Sequence, residues 1–211
     1  HGRDPAEVPV ESKANESEAK EKRATATSRW RRLSSLSEGG QGYVFLVTES
    51  GSDGRDRFVQ KLFKNPKRIE RSRREIAITE ELEHPNIVRF IDADSEAERP
   101  YMVVEYCEGG ALDKADLTPL SILERLRLFR GICAGIAYAH GKGVVHRDLK
   151  PANIFLRGDG RTPVVGDFGL TLRTEGDARL TIVDEAIGSA NYRAPEMEDG
   201  FAEDVASSAD V

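Results

Sequence analysis

Residues 57–63, Arg57-Phe58-Val59-Gln60-Lys61-Leu62-Phe63, alternate in a way that predicts a strand with different residues on its two faces. A shorter run, 44–48, reads as the strand before it, and the Ser50-Gly51-Ser52-Asp53-Gly54 cluster between them reads as a turn. The period then changes. Over 69–83, Ile69, Ile76, Thr79 and Leu82 fall toward one side of a helix, and His84-Pro85-Asn86 ends it. Two more strands are expected at 87–91 and 101–106. After Gly109-Gly110 the pattern becomes helical: Ser121 with Glu124 forms a capping box, and Leu126, Phe129, Cys133 and Ile136 run down one face to a stop at Gly141. Short strands at 154–156 and 163–166 follow. The predicted class is α+β: a strand-rich lobe with one helix, a hinge near residue 107, then a mainly helical lobe, with no internal repeat.

Residues 1–29 fall outside this pattern. They are rich in Glu, Lys, Ala and Ser, contain no aromatic residue before Trp30, and bury too little apolar surface to offset the entropy of ordering. A disordered arm is expected there, with a solvated helix over 11–23 as the alternative. Composition narrows the rest. A chain of 211 residues with 38% hydrophobic and 32% charged residues can build a substantial core. A net charge of -6 gives no basis for nucleic-acid binding through a broad basic surface. No apolar run approaches the ~20 residues of a membrane span. Cys107 and Cys133 cannot make a disulfide framework and lack metal-ligand spacing, so a reducing, cytoplasmic setting is expected.

The candidate chemistry begins between two strand patterns, at Ser37-Glu38-Gly39-Gly40-Gln41-Gly42-Tyr43-Val44. Glycines there let backbone N–H groups approach phosphates, although a glycine-rich hairpin on its own is more often only a turn. Lys61 on the next strand needs a partner if buried, and Glu75 on the following helix is a candidate. In isolation the pair reads more readily as two surface residues. The segment His146-Arg147-Asp148-Leu149-Lys150-Pro151-Ala152-Asn153, then Asp167-Phe168-Gly169 and Ala194-Pro195-Glu196, decides the reading. In order and spacing this resembles the protein kinase family, from about Trp30 to Val211.

The resemblance implies a two-lobe fold, with residues 30–106 as the small lobe and 107–211 as the hinge and an incomplete large lobe. It implies a Ser/Thr kinase that moves the γ-phosphate of ATP, with Mg²⁺ or alternatively Mn²⁺, to a protein hydroxyl. Gly39 and Gly42 match glycines of the phosphate-covering loop, Gly40 lies within it, and Ser37 replaces its first glycine. Lys61 matches the α- and β-phosphate lysine and Glu75 its orienting glutamate. Asp148 matches the aspartate that accepts a hydrogen bond from the attacking hydroxyl, Lys150 the γ-phosphate lysine, and Asn153 and Asp167 the metal ligands. For adenine, Val104 matches the gatekeeper, Glu105 and Cys107 the hinge backbone, Val44 and Val59 the upper cover and Phe155 the lower one. Ala111 stands where an acid often holds the ribose, with Asp113 nearby, which leaves that contact open.

Lys150 and Ser189 point to Ser/Thr rather than Tyr acceptors. His84, His140 and His146 are expected to be structural, and the basic run from Lys61 to Arg74 a solvated helix face. Glu185, with Asp184 beside it, falls where the family is often phosphorylated and can pair with Arg147. Phosphorylation of Thr181 or Thr174 is the alternative. Asp210 is expected to tie down the backbone at His146 and Arg147. The ending resembles the start of the large lobe's central helix, so the chain alone is expected to be poorly stable and little active. A nucleotide-binding pseudokinase or scaffold is the competing class, disfavoured because Lys61, Glu75, Asp148, Asn153 and Asp167 are all present.

Overall fold

Chain order runs strand-rich first and helical later, as the periodicity predicts. A computed structural model describes residues 29–39, 42–64, 69–97, 99–173, 190–192, 194 and 207–210. Outside them lie the expected arm over 1–29 except Arg29, Gly40, and residues 174–189 with Thr174, Thr181, Asp184, Glu185 and Ser189. Strands β1 (Trp30–Gly39), β2 (Gly42–Glu49), β3 (Phe58–Phe63), β4 (Phe90–Asp94) and β5 (Tyr101–Glu105) form one antiparallel sheet in the order β1-β2-β3-β5-β4. Trp30 donates its indole N–H to Asp92 at 2.6 Å, so the start of β1 reaches β4 and the sheet curls over Trp30, Val47 and Val103. Val47 and Val103 are fully buried, each stabilising by about 1.5–3 kcal/mol relative to exposure.

Helix α1 (Ile69–Glu81) follows β3. Its first turn carries Glu70, favourable at the positive end of the helix dipole, and Arg73 pairs with Glu70 at 2.8 Å. Pro85 prevents continuation. Ser72, Glu75, Ile76, Ile78 and Thr79 are buried along it, and the Thr79 hydroxyl donates to the Glu75 carbonyl at 2.7 Å. Of the expected face, Ile76, Thr79 and Leu82 are buried, while Ile69 is only partly covered.

The expected strand at 87–91 is displaced to Phe90–Asp94. Residues 86–88 bond to a different sheet: Val88 N–H donates to Val165 at 2.8 Å and Val165 N–H donates to Asn86 at 2.9 Å. Ile87 and Val88 thus connect the small lobe to the large one, and Ile87 joins a core of Ile78, Leu82, Ile136, Ala139, Val144, Ile154, Val165 and Phe168.

Beyond the hinge lie β6 (Gly110–Ala111), α2 (Ile122–Gly141), β7 (Val144–Val145), β8 (Ile154–Leu156), β9 (Pro163–Val165) and β10 (Leu172–Arg173). The strands pair as β6-β8-β9 and β10-β7. The capping box is present: Ser121 Oγ accepts from Glu124 N–H at 3.3 Å, and Glu124 accepts from Ser121 N–H at 2.9 Å. α2 runs down to Gly141, the expected stop. Its buried side is Leu128, Gly135, Ile136 and Ala139, whereas Leu126, Phe129 and Cys133 are exposed among the described residues. The reason is Gly135, where an added Cβ would lie 2.6 Å from the Asn86 carbonyl oxygen. The helix therefore nests on this flat strip. Gly143, two residues beyond the stop at Gly141, takes up positive φ (71°).

Candidate active site

One face of the small-lobe sheet begins the site. Val59 and Lys61 point to the same side of β3, because side chains alternate along a strand. Register places Leu46 and Val44 opposite them on β2, and Val104 and Met102 opposite them on β5. Val44 and Val59, the expected cover, and Val104, the expected gatekeeper, thus share one half-buried face with Lys61. The hairpin above closes with Gly39 opposite Gly42 and Ser37 opposite Val44. Gly42 has no room for a side chain: a Cβ would stand 2.4 Å from the Leu62 carbonyl oxygen. Gly40 falls outside the described residues.

Lys61 meets two carboxylates from two other elements. Its Nζ is 2.5 Å from Glu75 Oε1 on α1 and 2.9 Å from Asp167 Oδ1 after β9. Burial opposes the ammonium, but Glu75 and Asp167 outweigh it and hold Lys61 above its ordinary range. For Asp167 burial also opposes charge, and Lys61 overrides it to hold the carboxyl below its usual range. Burial raises Glu75, with Lys61 acting against it. Asp167 itself has φ 60°, a left-handed conformation uncommon outside glycine. The turn Phe168–Leu170 is pinned to α1 by Arg71, whose Nε donates to the Gly169 carbonyl at 2.8 Å.

Below this lies the catalytic-loop segment. Lys150 Nζ is 2.7 Å from Asp148 Oδ2, and Asn153 Nδ2 donates to the Asp148 carbonyl at 2.8 Å and to its Oδ2 at 3.0 Å. Asn153 therefore has its amide hydrogens engaged and its oxygen as the remaining donor atom for an electrophile. The other strained residue is Arg147, φ 67°. Its N–H donates to Asp210 Oδ1 at 2.7 Å and the His146 N–H donates to Asp210 Oδ2 at 2.7 Å, so Asp210 holds this backbone as expected. His140 Nε2 lies 2.8 Å from the same carboxylate. His146 contacts Phe168 (ring centroids 4.9 Å), donates through Nε2 to the Gly166 carbonyl and accepts the Asp148 N–H at Nδ1, which fits a packing role.

At the hinge, Glu105 ends β5 and Cys107 is buried. Burial first, then the Glu105 carboxylate, push the Cys107 thiol up to about 12. Phe155 lies half-buried on β8, paired with Ala111 and Val164, and its ring stands 3.0 Å from where a Cβ on Gly166 would be. Asp113 is exposed.

The structure thus gathers Lys61, Glu75, Asp167, Asp148, Lys150 and Asn153 from β3, α1 and two loops. Two contributors carry no sequence signal. Arg71 belongs to the basic run read as solvated, yet it bonds the Asp167-Phe168-Gly169 turn; Arg73 keeps that reading, pairing with exposed Glu70 and Glu96. Arg157, unremarked in the sequence, forks onto Glu105. Among the described residues no group of three or more His, Cys, Asp or Glu can hold a metal ion. The available donors are one carboxamide and one carboxylate. These suit a hard divalent cation that takes few protein oxygens and fills its shell with phosphate and water.

Comparison with known proteins agrees with this geometry. The family model described as "Protein kinase domain" matches residues 30–211. The chain is 34% identical over 173 residues to Serine/threonine-protein kinase Nek1 of Mus musculus, covering 79% of this chain and 14% of that protein. It is 34% identical over 189 residues to CBL-interacting protein kinase 1 of Oryza sativa, covering 86% of this chain and 40% of that protein. It is 34% identical over 172 residues to Serine/threonine-protein kinase Pkn1 of Myxococcus xanthus, covering 78% and 25%. The chain therefore spans well under half the length of these relatives. No helix among the described residues is long and apolar enough to cross a membrane. With its matching motifs, its sheet of five antiparallel strands and its relatives, the chain belongs to the eukaryotic-type protein kinase family.

Proposed function

We propose that the protein containing this chain is a Ser/Thr kinase that transfers the γ-phosphate of ATP to hydroxyls of a protein substrate. The observation that carries this is the convergence of Lys61 on Glu75 and Asp167, next to the Asp148, Lys150 and Asn153 cluster. Adenine would lie under Val44 and Val59, over Phe155, against the backbone of Glu105 and Cys107 and beside Val104. Lys61, held by Glu75, meets phosphate oxygens. Its raised pKa keeps it cationic through the physiological range. Asp148 accepts the hydrogen bond of the acceptor hydroxyl and aims its lone pair, and Lys150 places positive charge beside the same carboxylate. Asn153 and Asp167 would hold the divalent ion, which when bound neutralises charge on the phosphates.

Preorganisation is visible in the bonds within the site. Asn153 clamps Asp148 at two atoms, Asp210 fixes the backbone before it, and α1 is tied to the Asp167 turn through both Glu75–Lys61 and Arg71. Asp148→Asn and Lys61→Met in the full-length protein are each expected to leave the fold intact and remove at least ~3 kcal/mol of transition-state stabilisation, roughly a hundredfold or more in rate. Initial rates of phosphate transfer check this, and an unchanged rate in either variant contradicts the assigned roles. Ser/Thr choice and a cytoplasmic setting belong to the same proposal. Lys150 and the Ser/Thr names of relatives support the acceptor class.

A further inference from the structure

Five residues connect the lobes, from Glu105 at the end of β5 to Gly109 before β6. The two ends of this segment are held by adjacent residues, Leu156 and Arg157, at and just after the end of β8. At the far end, Gly109 N–H donates to the Leu156 carbonyl at 3.0 Å. The approach is so close that a Cβ on Gly109 would stand 2.6 Å from the Arg157 carbonyl oxygen. At the near end, the Arg157 side chain grips Glu105 with two parallel bonds, Nε to Oε2 at 3.2 Å and Nη2 to Oε1 at 3.0 Å. Glu105 Oε1 also accepts the Arg89 N–H at 2.9 Å, while the Glu105 N–H donates to the Arg89 carbonyl at 2.9 Å. The Glu105 side chain is only 13% exposed and that of Arg157 33%, so the pair is partly withdrawn from water. A planar guanidinium on a carboxylate with a third, backbone donor fixes orientation as well as distance.

We infer that Arg157 is a positioning residue for nucleotide binding: through Glu105 it sets the backbone of residues 105–107 that faces the base, without touching the nucleotide. The inference rests on the adenine assignment above. Glu105 is joined on one side to the start of β4 and on the other to the end of β8, so the clasp fixes the hinge relative to both lobes. Lysine at position 157 cannot reproduce the fork, because an ammonium presents a point charge rather than two parallel donors.

The test uses the full-length protein with Arg157→Ala, Arg157→Lys and Glu105→Gln, plus the Arg157→Ala/Glu105→Gln double variant. The readouts are binding of a fluorescent ATP analogue, KM for ATP against kcat, and amide hydrogen exchange over 105–110 without nucleotide. Arg157→Ala is expected to raise KM and the analogue's Kd about three- to tenfold with kcat nearly unchanged, and to speed exchange across 105–110. Arg157→Lys should fall between it and wild type. In the Glu105→Gln background, Arg157→Ala should add less than it does alone. Unchanged exchange and unchanged Kd in Arg157→Ala overturn the inference, as does a loss in kcat matching that in kcat/KM with KM unmoved. If wild type fails to bind nucleotide, the proposed function falls. Exchange at 105–110 then decides the clasp alone, unchanged exchange overturning it and faster exchange sustaining it as a hinge restraint.

Discussion

Cys107 and Cys133 are the same residue type in opposite surroundings. Cys133 is exposed on α2; Cys107 is buried at the hinge, with its thiol pushed up to about 12 by burial and by Glu105. At pH 8, native protein should therefore lose Cys133 to iodoacetamide well before Cys107, and equal rates by mass spectrometry would contradict the burial. The same shift makes a pH prediction. An unfolded thiol titrates near 9.0 and the folded one near 12, so the unfolded chain releases a proton that the folded chain retains. This group's stabilisation is complete below about pH 9 and declines as pH rises toward 12. Denaturant unfolding at stepped pH should show stability falling over that window, with a shallower slope in Cys107→Ala; identical slopes contradict it. Asp210 gives a further case. Its carboxylate accepts the N–H groups of both His146 and Arg147, so Asp210→Ala strands two buried donors. A loss of about 2 kcal/mol or more is expected from chemical denaturation, with reduced activity, and a wild-type midpoint would contradict this role.

At the scale of elements, local chemistry was legible where it is self-contained. Periodicity located β3 and α1, and the Ser121–Glu124 box marked the start of α2, because each depends on residues near in sequence. Ser121→Ala should cost about 1 kcal/mol in thermal or chemical unfolding. What failed depended on partners far along the chain. The strand expected at 87–91 was apolar enough, but residues 86–88 spend their backbone bonds on β9, and β4 starts only at Phe90. On α2 the stripe of Leu126, Phe129 and Cys133 is exposed, and the buried side includes Gly135, which turns to the Asn86 carbonyl. A glycine has no hydropathy to announce such a contact. Gly135→Ala should shift helix or loop and destabilise by about 1–3 kcal/mol, and neutrality would show that this close approach is not needed.

For the whole molecule, the site was more legible than the fold that carries it. The proposed phosphoryl transfer restricts which groups can serve, and motif order singled out the candidates Lys61, Glu75, Asp148, Lys150, Asn153 and Asp167. Arg71 and Arg157 did not: each is an ordinary surface residue type until a partner 98 or 52 positions away is placed beside it. Distance along the chain also marks where the lobes depend on each other, since Lys61 and Asp167 are 106 residues apart. The most direct measurement of the central claim is transfer of labelled γ-phosphate from ATP with Mg²⁺ by the full-length protein to a generic protein substrate, followed by phosphoamino-acid analysis. The account predicts label on serine and threonine, none on tyrosine, and loss of transfer in Asp148→Asn. No label from wild type, label on tyrosine, or equal label from Asp148→Asn would contradict it.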